Sequence, residues 1–240
     1  MKKTLLLLFW FLPVLLRAQT VQITDPNAEK RNLSGSFAAI RVSDGIDLYL
    51  TQGNDEQAAA SASEPKYLAN LKTEVKDGIL HIYYDRSSVV WNDNNKRKLK
   101  VYVSFRQLKS LKASSGADVT AQSTFKLDEL ELDLGSGAHF NGALELNRLT
   151  AAVSSGAEAN VRGKAGKVEA DASSGAIFKG YDLAAEIVDA KASSGGSVRV
   201  SVGKELKARA HSGGGIRYKG AGVIRDIDTG SGGSVKRSDN

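Results

Sequence analysis

The chain has 240 residues, no cysteine, and a formal net charge of +6 from 33 basic and 27 acidic side chains. Without cysteine there is no disulfide framework, no thiolate metal site and no thiol nucleophile. The basic residues are scattered, apart from Lys96-Arg97-Lys98-Lys100, which is too little for a nucleic-acid footprint.

Residues 1–18 have the pattern of a secretory signal peptide. Lys2 and Lys3 form a positive start, Leu5 to Leu16 an apolar run, and Ala18 precedes Gln19 at a plausible cut. The run is short for a membrane-spanning helix, and Leu16 leaves the cleavage position open. No cysteine follows, so a lipoprotein anchor is not expected. This segment holds three basic residues and no acid, so the mature chain carries +3. The expected location is the periplasm, the outer membrane or the exterior, with no transmembrane span after the signal is removed. Residues 19–36 read as an extended leader.

From residue 37 to residue 240 we expect a single β-solenoid domain. Its first part, 37–106, reads as an irregular capping half. Gln57 to Ser63 has the composition of a strand, and Glu64-Pro65 opens a turn or short helix over Lys66 to Asn70. Leu71 to Val75 and Ile79 to Tyr84 flank Asp77-Gly78, a strong hairpin signal. Ser87 to Asn95 is a polar loop carrying Trp91. Leu99 to Phe105 alternates cleanly as a strand.

Residues 107–235 hold seven Ser-Gly repeats. The central glycines stand at 116, 137, 156, 175, 195, 213 and 232, in steps of 21, 19, 19, 20, 18 and 19. A fixed period of this size marks stacked coils. We number each repeat from its central glycine as position 0. Position −1 is serine in all seven: Ser115, Ser136, Ser155, Ser174, Ser194, Ser212 and Ser231. Positions −5 and −3 are apolar and mostly alanine, position −4 is polar in most copies, and position +3 is apolar again. Each unit is therefore strand, Ser-Gly bend, strand, with one face inward. Aligning Gly45 on position 0 puts Ile40, Val42 and Leu48 in the same slots, a degenerate eighth copy with Asp44 in place of serine. One unit cannot bury its apolar face alone, but copies stacked at about 4.8 Å can, giving a rod on the order of 34 Å for seven coils.

Two expectations follow from that register. The seven serines should form a column, a ladder in which each hydroxyl bonds a neighbour or the backbone. The alanines should face a thin core, so leucine at Ala172 or Ala192 should overpack it at a cost of roughly 1–3 kcal/mol, read as a lowered melting temperature.

The stretches Phe37-x-x-Ile40-x-Val42-x-x-Gly45-Ile46-Asp47-Leu48-x-Leu50-x-Gln52-Gly53 and Glu74-Val75-x-Asp77-Gly78-x-Leu80-x-Ile82, with the Ser-Gly-Ala/Gly series, resemble the signatures of the putative auto-transporter adhesin, head GIN domain family. The resemblance covers roughly residues 35–235. It implies a β-solenoid-like fold and an envelope or extracellular place, and it brings no catalytic residues.

Position +2 places Asp118, His139 and Glu158 in neighbouring coils, a set suited to metal binding or acid–base work. The plainer alternative is three solvated outward residues. Trp91, with Tyr83 and Tyr84 near it in sequence, is the candidate for stacking on a sugar or a partner; the alternative is that Trp91 folds back as a lid. The favoured function is an exported adhesion or interaction module without catalysis or cofactor, binding a glycan or a surface protein, and self-associating through an end coil. The rivals are a β-helix carbohydrate-active enzyme, lyase or hydrolase, and a rigid structural envelope protein.

Overall fold

The structure, a computed structural model, describes residues 25–87 and 97–238. The signal segment and Trp91 lie outside the described residues. The chain forms a β-solenoid of about seven turns with coils near 19 residues.

The regular part is easiest to see in the middle. Strands β10 (Phe125–Leu134), β11 (His139–Val153), β12 (Glu158–Ala172), β13 (Ile177–Ala192) and β14 (Ser197–Ala210) each run from one Ser-Gly turn to the next and pair in parallel with their neighbours. Within β11 the inward residues are Phe140, Leu144, Leu146, Leu149, Ala151 and Val153, all buried. Alternation slips once, where Asn147 and Arg148 are both exposed, and this is a corner of the coil. Ala151, Ala170, Ala190 and Ala208 at −5, with Ala172, Ala192 and Ala210 at −3, all face the core as the repeat implied.

The thicker side of the core alternates in volume from coil to coil. Positions +3 and +5 are Phe140 and Gly142, then Ala159 and Val161, then Phe178 and Gly180, then Val198 and Val200; the +3 residues are all in register, whereas at +5 the pairing of β12 with β13 shifts after Asn160. Side chains two apart on a strand share a face. Accordingly, a Cβ on Gly142 would lie 2.6 Å from the Phe140 ring, and one on Gly180 would lie 2.6 Å from the Phe178 ring. Each phenylalanine thus lies over its own glycine, and the coil between the two carries Ala159 and Val161.

The bends are two-residue turns with positive φ at both central positions, for example Ser155 at 53° and Gly156 at 71°, the type I′ pattern. The amide of Ala157 closes the turn by donating to the Ser154 carbonyl at 3.1 Å. The seven serines do stand in one column, but the link between coils is made by the backbone rather than by hydroxyls. Gly116 N–H donates to the Ser136 carbonyl, Gly137 to Ser155, Gly156 to Ser174, Gly175 to Ser194, Gly195 to Ser212 and Gly213 to Ser231, at 3.0–3.1 Å. All seven serines are exposed. A residue at the first corner of this turn points its side chain to water, so its hydroxyl is not buried and needs no protein partner.

The first coil is built from β2 (Ala39–Val42) and β3 (Asp47–Gln52), joined by a turn with Asp44 at φ 65° and Gly45 at φ 67°. It stacks directly on the coil of β8 (Ser110–Ala113) and β9 (Asp118–Ala121). The aperiodic stretch between them supplies one more coil on the far side: β6 (Ile79–Tyr84) pairs with β2, and β7 (Lys100–Phe105) pairs with β3. Stacking order therefore departs from chain order, and the chain passes over its own first coil. This coil has no Ser-Gly mark between its strands, which end at Tyr84 and resume at Lys100.

Antiparallel strands finish this end. β5 (Leu71–Lys76) pairs with β6, β4 (Gln57–Ser61) with β7, and β1 (Glu29–Arg31), within the extended leader, with β4. Helix α1 (Pro65–Asn70) starts on a proline, whose missing N–H costs nothing there, and buries Tyr67 and Leu68. The other end is open. β15 (Gly215–Lys219) and β16 (Val223–Thr229) stack on β14, and β17 (Ser234–Arg237) on β15. Val223, Ile224 and Ile227 on β16 are exposed, and no further coil covers them among the described residues.

Candidate functional site

Outward side chains of a solenoid form columns, because every coil presents the same position at the same place. The +2 column brings Asp118 of β9 beside His139 of β11 and Glu158 of β12, in register as the spacing implied. The first coil adds Asp47 on the other side of Asp118, and Lys100 follows Asp47. Sequence reasoning missed Asp47, although Gly45 at position 0 places it at +2. Glu158 is held by Lys179, whose Nζ donates to Oε1 at 2.6 Å. Among the described residues, no group of three or more His, Asp or Glu side chains is placed to hold a metal ion.

Burial, and after it the Asp118 carboxylate, push the Asp47 carboxyl above its ordinary value, while Lys100 pulls it down. A raised carboxylate prefers its protonated form in the fold, so Asp47 favours the folded state at low pH and loses that contribution as pH rises through its titration. Asp118→Asn should therefore move the Asp47 midpoint down toward the ordinary carboxylate range, measured by side-chain NMR titration.

Tyr83 and Tyr84, named with Trp91 as candidates for stacking on a ligand, face opposite ways. Neighbours on a strand point to opposite faces. Tyr84 is inward, 3% exposed, with the Arg97 guanidinium 4.4 Å from its ring centroid. Tyr83 is outward and its hydroxyl donates to Glu74 at 3.3 Å. Tyr84 therefore offers no face for a ligand. Trp91 falls outside the described residues.

A shallow groove of about 680 Å³ crosses the corner of the central coils, floored by Leu127, Leu146, Ala165 and Gly166. Two of its three charged lining residues are paired, Glu145 with Lys126 at 3.6 Å and Glu186 with Lys204 at 2.9 Å, and the third is Lys164.

The +4 column was not weighed in the sequence, yet the same alignment yields it. It reads Thr120, Asn141, Asn160, Lys179, Arg199, Arg217 and Lys236. The last four are in register across β13, β14, β15 and β17. Beside them the +2 column offers only Ile177, Ser197, Gly215 and Ser234, and the +6 column Tyr181, Ser201, Lys219 and Ser238. No carboxylate stands among these residues. One sheet face is thus acidic toward the early coils (Asp47, Asp118, Glu158) and basic toward the late ones.

The family model for the putative auto-transporter adhesin, head GIN domain matches residues 36–222. No curated protein sequence matches the chain. Among solved structures, a putative adhesin from Bacteroides fragilis superposes with a TM-score of 0.79 at 18% identity, covering 88% of this chain and 96% of that one. A putative adhesin from Parabacteroides distasonis gives 0.71 at 19% identity, with 88% and 96% covered. A structure from the same species described as a putative lipid binding protein gives 0.62 at 19% identity, with 90% and 98% covered. At these identities the likeness is one of fold.

Proposed function

As a chain that belongs to the putative auto-transporter adhesin, head GIN domain family, this protein is, we propose, an exported, non-catalytic module that adheres to a glycan or surface protein through a face of its solenoid. The observation that carries this reading is the in-register outward face formed by β9, β11, β12, β13, β14, β15 and β17. It repeats chosen side chains at intervals of about 4.8 Å along a rigid stack. Such a surface suits an extended partner better than a small substrate, which calls for a concave pocket. Among the described residues no helix is long and apolar enough to cross a membrane, and residues 1–18 supply the export signal that this reading needs.

Two further elements belong to the reading. Trp91 serves as an aromatic anchor for the partner, with Tyr83 as the outward tyrosine nearest to it in sequence. At the other end, a second copy seated on β16 would cover Ile224 and Ile227, which pair with the inward Leu206 and Ala208 but have nothing above them among the described residues. The test is a glycan-array and whole-cell binding screen of the mature chain, run beside a hydrolysis and elimination assay on the same glycans. Retention without product release supports an adhesion module. Released sugar would overturn it in favour of a β-helix carbohydrate-active enzyme, and loss of all binding would leave only a structural spacer.

A further inference from the structure

At several places on this solenoid, charged side chains answer one another between coils. Lys112 bonds Asp133 at 2.6 Å, Lys126 meets Glu145 at 3.6 Å, Lys204 meets Glu186 at 2.9 Å and Arg225 meets Glu205 at 2.7 Å. Arg209 lies between Asp189 at 3.5 Å and Asp226 at 3.9 Å. The late +4 column differs in being an unbroken run of four cations. Lys179, Arg199, Arg217 and Lys236 follow one another directly, and only Lys179 has a carboxylate, Glu158. Among the described residues, Arg199, Arg217 and Lys236 have no ion-pair partner. Like charges directly opposite on neighbouring strands are destabilising, so the column costs the fold something and gains nothing from within it.

A second observation concerns Arg199 itself. Its Nε is buried and without a hydrogen-bond partner. A buried guanidinium N–H left unpaired is costly, and it is normally satisfied. The planar guanidinium is also the side chain best matched to a two-oxygen acid group.

We propose that the ladder Lys179, Arg199, Arg217 and Lys236 is a docking rail for a linear acidic polysaccharide, with carboxylate or sulfate groups seated on successive cations. The proposal rests on the adhesion reading above and names the ligand class of one face. The shape selects the polymer. Four cations in single file span three intervals, about 14 Å, along the axis. A single row fits an extended chain with repeating acid groups. A membrane surface would call for a broader basic patch backed by apolar side chains that insert, and beside the row stand only Ile177 and Tyr181, the latter tied to Ser238 through its hydroxyl. The small neighbours Ser197, Gly215 and Ser234 leave one flank of the row open for sugar rings to lie against the sheet.

The experiment uses the mature chain and four probes: polygalacturonate, dextran sulfate, neutral dextran and phosphatidylglycerol vesicles. Binding is measured at low and physiological salt, with thermal melting alongside. At least one of the two acidic polymers should bind, weaken with salt, and raise the melting temperature, whereas neutral dextran should not bind. The triple variant Arg199→Gln, Arg217→Gln and Lys236→Gln should lose at least about tenfold in affinity, equivalent to roughly 1.4 kcal/mol. Its unliganded melting temperature should stay level or rise, because repulsion within the row is removed. A control with the same loss of charge, Lys112→Gln, Lys126→Gln and Lys204→Gln, should bind as the parent does. Equal loss in control and ladder variants would reduce the effect to net charge and overturn the proposal. Vesicle binding without polymer binding, or dextran binding equal to that of the acidic polymers, would overturn it as well. In those cases retention on cells or neutral glycans would leave the adhesion reading intact, whereas failure on every surface would remove both.

Discussion

Gly180→Val should destabilise the protein by about 2–3 kcal/mol, and Phe178→Ala should cost about 1–3 kcal/mol less when added to that variant than it costs in the parent. Large additions to a packed core cost roughly 1–3 kcal/mol. Here the Cβ alone would lie 2.6 Å from the Phe178 ring and 3.2 Å from the Arg199 carbonyl oxygen. Taken alone, Phe178→Ala empties a fully buried site and should cost about 3–5 kcal/mol. In the double variant the coil carries alanine at +3 and valine at +5, which is the pair Ala159 and Val161 already present one coil away. The valine methyls enter the space that the ring has left, so the two changes are coupled by an energy on the order of 1–3 kcal/mol in the favourable direction. Denaturant melts of the parent, both single variants and the double variant measure it. Strict additivity would show that the ring and the glycine do not share that space, and the alternating-volume account of the core would fall.

The part of the fold that repeats was legible because the repeat has a chemical signature at every inward slot. Leu132, Ala151, Ala170, Ala190 and Ala208 share position −5, and all are buried. The turn was half legible. Glycine at position 0 marked a special backbone, but the serine column suggested bonded hydroxyls because a buried hydroxyl is costly unpaired, whereas these serines are exposed and the repeated bond is Gly N–H to Ser carbonyl. Nothing in the spacing could reveal the coil of β6 and β7, because residues 85–99 separate its halves and no Ser-Gly pair signals the bend. It is recognised only by pairing: Leu80 opposite Ile40 and Val101 opposite Leu48. Of the candidate sites, the +2 column followed from arithmetic alone. Tyr84 was misjudged through a simple parity rule, since a strand with Ile82 inward must also turn Tyr84 inward. The basic row needed only one more column of the same alignment. What arithmetic could not supply was the contrast with the paired charges elsewhere, which depends on which side chains meet across coils.

Gly214→Ala should cost about 3 kcal/mol and lower the melting temperature by roughly 6–12 °C, at the scale of 2–4 °C per kcal/mol for a domain of this size. Position +1 is alanine in four coils, Ala117, Ala138, Ala157 and Ala176, and glycine in the last three, Gly196, Gly214 and Gly233. Both groups close their turns with the same bond, but it is shorter in the glycine coils. The Ala157 amide reaches the Ser154 carbonyl at 3.1 Å, whereas Gly214 reaches the His211 carbonyl at 2.8 Å. In the glycine coils the chain lies hard against the coil before it: a Cβ on Gly214 would stand 2.2 Å from the Ala192 carbonyl oxygen and 2.4 Å from its carbon. Those are backbone atoms in a paired strand, so no rotamer change relieves the contact and the coils themselves must part. In the alanine coils the methyl fills core space, since Ala157 is 1% exposed. The reverse change, Ala157→Gly, should therefore also destabilise, by about 1–2 kcal/mol from a lost buried methyl and added chain entropy. Opposite substitutions at equivalent positions that both lower the melting temperature require two distinct packings of one turn. If Gly214→Ala melts with the parent, the late coils accept the methyl and the distinction disappears.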